Sequence, residues 1–112
     1  MARILVIEDD ETLRIAAGRA LGRQGHDVRL AHDGLAGVEE ATKGDYDLIV
    51  CDYEMPGLNG HQVYERLPER YRERFLMWTA SEVSSPSGAL VPKGGPASEL
   101  VEAAGSLLSD AP

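Results

Sequence analysis

One cysteine in 112 residues excludes an intramolecular disulfide framework. Cys51 stands inside an apolar run, where a small buried hydrophobe fits better than a reactive thiol, and this usage fits a reducing cytoplasm. No stretch approaches the roughly 20 apolar residues of a membrane span. The apolar run after Met1 is too short, and too soon acidic, for a signal peptide. A soluble, cytoplasmic chain without a membrane partner is expected. Clustered positive charge is also lacking: the net charge is −8, with Lys and Arg dispersed, which argues against a nucleic-acid footprint. Cations and basic protein surfaces are the expected partners. The histidines His26, His32 and His61 are scattered, lack metal-ligand spacing and read as surface residues. What remains, with 43% hydrophobic residues, is enough for one core without metal or disulfide staples. Residues 1–112 therefore read as a single domain, with 109–112 a frayed end or the start of a linker.

Residues 46–60 (YDLIVCDYEMPGLNG) organise the rest. Leu48, Ile49, Val50 and Cys51 form an apolar run that suits a strand buried on both faces, and it delivers Asp52 to a turn. In open α/β sheets the carboxyl edge of the strands is where ligands collect, although Asp is also common at strand ends for local hydrogen-bonding reasons. Residues 3–7 (RILVI) are a second buried run, ending in Glu8, Asp9, Asp10 and Glu11. Capping of the helix that follows accounts for one or two of these acids. That helix carries Leu13, Ala16, Ala17, Ala20 and Leu21 on one stripe, with Arg14, Arg19 and Arg23 outward and Gly25 at its end.

Residues 27–31 (DVRLA) alternate and suit an edge strand. Asp33 is placed to cap a short helix over 34–43, with Leu35, Val38 and Ala41 or Thr42 inward and Gly44 as terminator. Asn59 is placed to cap a helix bearing Val63, Tyr64 and Leu67. Residues 68–74 (PERYRER) read as a solvated connector, since their charges nearly balance. Residues 75–78 (FLMW) are a fourth buried run ending at Thr79-Ala80, and 81–88 read as loop. Ala89, Leu90 and Val91 form a short last strand before Pro92-Lys93, at an edge because of the proline. Gly95 and Pro96 open a final helix with Leu100, Val101, Ala104, Leu107 and Leu108 on its stripe.

Five strands alternating with helices imply an α/β fold, a parallel sheet with helices on both faces. One edge then collects Glu8, Asp9, Asp52, Thr79 and Lys93. Crowded carboxylates raise one another's pKa, a cost that a divalent cation removes. All-oxygen ligation suits Mg²⁺, and Lys93 with Thr79 offers a cation and a donor to phosphoryl oxygens. The set suits phosphoryl transfer to Asp52 as nucleophile.

With Glu8-Asp9 after an apolar strand, Asp52-x-x-Met55-Pro56 closed by Gly60, Thr79-Ala80 and a late Lys93, the chain resembles the receiver domains (CheY-like) of two-component response regulators over nearly its whole length. The resemblance implies the flavodoxin-like strand order 2-1-3-4-5. It implies that Asp52 accepts phosphate from a sensor kinase histidine or a phosphotransfer protein, and that Glu8, Asp9, Asp52 and the backbone carbonyl of Glu54 hold Mg²⁺, Glu8 through water. Thr79 and Lys93 would bind the phosphoryl group, with Thr79 moving toward it as the switch. It further implies a signalling domain rather than an enzyme in the usual sense, one that catalyses its own phosphorylation and dephosphorylation.

The chain departs from this pattern between Thr79 and Lys93. The family's fourth helix is replaced there by about a dozen residues that read as loop, Leu90 stands where an aromatic switch residue is common, and the usual Lys-Pro is Lys93-Gly94. Loss of the helix is expected to open the sheet face near Leu76, Trp78 and Leu90, so that the region self-associates as a homodimer or docks a downstream protein, unless the loop or Trp78 fills the gap. Two other functions fit parts of the sequence. A phosphorylation-independent adaptor would suit the lost helix and Leu90. An aspartyl-phosphate phosphatase would use a similar residue set, but its nucleophile lies on the first strand with a second Asp two residues on, where this chain has Glu54.

Overall fold

Five apolar runs become the strands of one parallel sheet in the computed structural model, which describes residues 1–109. In chain order the elements are β1 (Arg3–Ile7), α1 (Glu11–Gly22), β2 (Asp27–Ala31), α2 (Gly34–Lys43), β3 (Leu48–Cys51), α3 (Gly60–Arg66), a 3₁₀ turn (Glu69–Tyr71), β4 (Phe75–Thr79), β5 (Leu90–Pro92) and α4 (Ala97–Ser109). The strand order is β2-β1-β3-β4-β5, the flavodoxin-like arrangement. β2 and β5 lie at the edges, as alternation in the one and proline in the other require. Ser109, expected to open a frayed end, belongs to α4, and the rest of that expectation falls on residues 110–112, outside the described residues. No helix among the described residues is long and apolar enough to cross a membrane.

Strand alternation divides the core into two layers. Ile4, Val6, Leu48, Val50, Leu76 and Val91 point to α1 and α4, against Ala17, Leu21, Leu100 and Ala104. Leu5, Ile7, Ile49, Cys51, Phe75 and Met77 point to α2 and α3, against Ala41, Leu58, Val63 and Tyr71. Each fully enclosed branched side chain contributes about 1.5–3 kcal/mol relative to exposure. The helix starts follow the sequence: Asp10 Oδ1 accepts from Leu13 N, Asp33 Oδ1 from Ala36 N, and Asn59 with Gln62 forms a reciprocal capping box.

Several expectations about facing are corrected. Leu35 is 60% exposed rather than inward, because α2 turns its smallest residues to the sheet. A Cβ on Gly37 would lie 2.4 Å from Ile7 Cδ1, so helix and strand approach only because that atom is missing. Ala16 is exposed, whereas Arg14 is half-buried and turned back on the β1–α1 turn. The connector at 68–74 is not wholly solvated: Tyr71 is buried, its hydroxyl donating to Ala41 O at 3.0 Å and accepting from Tyr46 N at 3.2 Å. Arg70 caps the carboxyl end of α2 by donating to Ala41 O and Gly44 O. His26 and His61 are half-buried and bonded, not free surface groups. Ala2 N donates to His26 Nδ1, and His61 Nε2 lies 2.8 Å from Ser84 O.

Between β4 and β5 the chain has no helix, as expected, but the sheet is not left open there. Leu76 and Trp78 face α1 and α4, on the opposite side from the missing helix, and Leu76 is 1% exposed. On the side the helix would cover, Phe75 and Met77 are fully enclosed. Residues 81–88 lie across that face with alternate residues turned inward, Val83 among them. Serine hydroxyls replace the helix's backbone ladder: Ser87 Oγ donates to Phe75 O at 2.5 Å and accepts from Ala89 N at 3.3 Å. Tyr64 meets Phe75 edge-on with ring centroids 5.0 Å apart. The exposed large hydrophobics, Met1, Ile15, Leu30 and Leu35, all lie elsewhere, so the apolar opening on which self-association was expected is filled by the loop.

Candidate functional site

The carboxyl ends of β1, β3, β4 and β5 converge because the strands are parallel and neighbouring. Of the four acids after β1, Asp10 serves as the α1 cap and Glu11 lies in its first turn, leaving Glu8 and Asp9 free of that task. Asp52 follows β3 directly, its N–H held by Ile7 O at 3.1 Å. The turn after Asp52 is closed by Gly60, whose N–H donates to Tyr53 O at 2.8 Å. A Cβ at Gly60 would stand 2.7 Å from Asp52 O, so only glycine lets α3 begin this close to the site.

Carboxylate oxygens of Glu8, Asp9 and Asp52 lie within 4.8 Å of one another. Glu8 is fully buried and Asp52 nearly so, while Asp9 is exposed. Lys93 reaches in from the end of β5: Nζ is 2.8 Å from Asp52 Oδ2 and forms an ion pair with Glu8 Oε1. Glu8 Oε2 accepts from Asp10 N at 3.1 Å. Glu8 Oε1 meets Lys93 as an ion pair without hydrogen bonding of regular geometry, and Asp52 Oδ1 is buried with no partner at all. Such an orphan is costly unless another group meets it.

Burial, with the Asp52 charge adding to it, raises the Glu8 pKa against the opposing pull of Lys93. Burial alone would lower Lys93, but its bonds to Asp52 and Glu8 prevail and its pKa is raised. The ammonium is thus held charged between the two acids. Burial also drives the Cys51 thiol well up, leaving it a small hydrophobe beside the site rather than a nucleophile.

An unpartnered, buried carboxylate oxygen beside two further acids, in an all-oxygen donor set, fits a hard divalent cation such as Mg²⁺. The exposed Glu54 lies two residues beyond Asp52 in the turn. Thr79 ends β4 and is 2% exposed; its Oγ1 accepts from Ser81 N at 3.1 Å, tying it to the start of the 80–89 loop. Sequence reasoning placed these residues together but missed Arg14, expected outward. Its Nη1 donates to Glu8 O at 2.9 Å and Asp9 O at 3.3 Å, fixing the acidic turn from below. An arginine within one helical turn of four acids was the available signal. Trp78 was also missed: Lys93 Nζ stands 5.0 Å from its ring centroid.

Comparisons with known proteins agree with this fold. The family model described as the response regulator receiver domain matches residues 4–91, ending two positions before Lys93. The transcriptional regulatory protein TcrA of Mycobacterium tuberculosis is 36% identical over 88 residues, covering 79% of this chain and 33% of that protein. The transcriptional regulatory protein CutR of Streptomyces coelicolor is 36% identical over 80 residues, covering 70% of this chain and 37% of that protein. The chain thus spans about a third of the length of the curated relatives it matches. Among solved structures, the HemR receiver domain of Leptospira biflexa superimposes with a TM-score of 0.87 at 24% identity, covering 100% of this chain and 98% of that one. The chemotaxis response regulator CheY4 of Vibrio cholerae gives 0.85 at 24% identity, covering 96% and 98%; both share the fold. A parallel sheet in this order, three clustered acids with an inserted lysine, and a family match over most of the length lead to one conclusion: the chain belongs to the receiver domain family of response regulators.

Proposed function

We propose that this chain is a phosphoacceptor switch in which Asp52 receives a phosphoryl group, with Mg²⁺ present, from a histidine of a sensor kinase or phosphotransfer protein, altering its contacts with a downstream protein. The observation that carries the reading is the buried Asp52 carboxylate, with one oxygen on Lys93 Nζ and the other unpartnered at the end of β3. That oxygen has a lone pair to give. An Asp52 oxygen forms the new P–O bond as the P–N bond of the phosphohistidine breaks, and the bonding pair leaves with the imidazole nitrogen. Lys93 offers its ammonium, and Thr79 its hydroxyl, to phosphoryl oxygens. Glu8, Asp9, Asp52 and the Glu54 carbonyl would hold Mg²⁺, which when bound supplies neutralisation of the charge on those oxygens. Arg14 keeps the Glu8-Asp9 turn in place through its two carbonyl contacts.

Thr79 links the site to a readout. Drawing its hydroxyl toward a phosphoryl group would pull on the Ser81 N–H that it now accepts, and through it on the loop joined at Ser84 to His61 of α3. The surface that changes would therefore be the 80–89 loop with the start of α3. The test is intact mass after incubation with acetyl phosphate, with and without Mg²⁺, alongside Asp52→Ala. One added phosphate, dependent on Mg²⁺ and lost in the variant, is expected. No phosphate on the wild type with Mg²⁺ would overturn the reading in favour of a phosphorylation-independent adaptor.

A further inference from the structure

Lys93 has a long distance to cover. It leaves the end of β5, while Asp52 ends β3, and β4 lies between them. Neighbouring strands are about 4.8 Å apart, so the side chain must pass over the carboxyl end of β4 to deliver its ammonium. Little in the backbone fixes that course. The Lys93 N–H is held by Thr79 O at 2.9 Å, but the next residues are Gly94, in the left-handed region at φ +96°, and Gly95, both exposed. Two glycines leave the chain beyond Lys93 freer than any other pair would.

Trp78 lies on that course. It pairs with Val91 across the β4–β5 ladder, and both face α1 and α4. Lys93, two residues beyond Val91, starts on the same side. Its Nζ then stands 5.0 Å from the indole centroid while touching Asp52 and Glu8. The indole is only half-buried, and a cleft of about 240 Å³ lies beside it between Leu13, Ala17, Pro96 and Leu100. Close packing therefore does not by itself account for the ring's position. An aromatic face attracts an ammonium group, and more so where water is partly excluded.

We propose that Trp78 is a positioning residue for Lys93, its indole face holding the ammonium group at the Asp52–Glu8 pair in place of backbone restraint. The proposal rests on the reading of Asp52 as phosphoacceptor for its kinetic consequence, but not for the contact itself.

Two measurements on the full chain test it. The first is the rate of Asp52 phosphorylation by saturating acetyl phosphate with Mg²⁺ in the wild type, W78F, W78Y and W78L. W78L is expected to be about fivefold slower, with Phe and Tyr recovering most of the rate. A packing role predicts instead that the rates follow melting temperature whatever the ring, and that ordering would overturn the proposal. The second needs no phosphorylation: the emission of Trp78, the only tryptophan, is compared between wild type and Lys93→Met in chelator. A change in the native spectra that vanishes in denaturant is expected, and superimposable native spectra would overturn the contact. If the wild type takes no phosphate, the functional reading fails and the emission comparison still decides the proposal. It also decides should W78L fail to fold.

Discussion

Lys93→Met is the sharpest probe of how the acidic site is held together. The substitution keeps most of the aliphatic stem and removes the ammonium from between Glu8 Oε1 and Asp52 Oδ2. Taking one partner from a buried ion pair costs about 3–5 kcal/mol when the other charge is left unmet. Here two acids lose their counterion, and the Lys93 side chain is only 11% exposed, so solvent does not replace it fully. Any proton that Glu8 takes up offsets part of that cost, so the expected loss at neutral pH lies at the low end, about 3 kcal/mol. For a domain of this size that corresponds to a fall of roughly 10 °C in Tm. The assay is urea unfolding followed by far-UV circular dichroism in chelator.

The sign of its pH dependence follows from Glu8. Burial already raises that carboxyl above its ordinary value of 4.5, and losing Lys93 removes an opposing influence. Between the ordinary and the raised value the folded chain binds more protons than the unfolded one, so stability falls as pH rises through that window. The deficit of Lys93→Met is thus greatest above the variant's Glu8 value and shrinks as pH falls from there to the wild-type one. Mg²⁺, if held as proposed, narrows the gap at neutral pH, and adding Glu8→Gln recovers at least part of the loss. A variant within about 1 kcal/mol of wild type at neutral pH in chelator would refute the reasoning, because an exposed pair is worth up to that.

Four further outcomes are expected. Glu8→Gln alone gains stability relative to wild type as pH rises from 4.5 through the raised Glu8 value, measured by urea unfolding in chelator; a difference independent of pH would show that Glu8 does not titrate abnormally. Gly37→Ala costs about 1–3 kcal/mol, since its Cβ falls 2.4 Å from Ile7 Cδ1, and a neutral result would mean that α2 shifts freely on the sheet. Tyr71→Phe costs about 1–2 kcal/mol by leaving the buried Tyr46 N–H without its acceptor. Ser87→Ala frees Phe75 O and Ala89 N, so limited proteolysis cuts the 80–89 loop faster than in wild type while cleavage elsewhere is unchanged.

Expectation and structure agree best where the information is local. The runs at 3–7, 48–51 and 75–78 are strands because a continuous apolar segment has only one fully covered setting in this fold. Asp10, Asp33 and Asn59 cap helices through bonds three residues away, and Asp52 ends β3 because its strand stops there. The same logic brings Glu8, Asp9 and Asp52 to one edge once the strands are parallel. Most departures are long-range, the facing of Ala16 and Arg14 on α1 being the exceptions. Leu35 turns outward because Gly37 fits against Ile7, thirty residues earlier, and no periodicity within α2 reveals it. Tyr71 looks like part of a charged connector until its hydroxyl meets Ala41 and Tyr46.

By itself, then, the sequence determined the alternation of strands and helices, the caps and the acids at the strand ends, since each depends on neighbours a few residues apart. Only the tertiary structure decided that the 80–89 loop closes the sheet face left by the lost helix, that Arg14 bends back beneath the acidic turn, and that Lys93 crosses β4 beside Trp78 to meet Asp52. The loop and Lys93 contacts join groups 12 and 41 residues apart, Arg14 turns back on a bend that helix periodicity does not show, and all exist because packing two layers on one sheet leaves each group a single place to go.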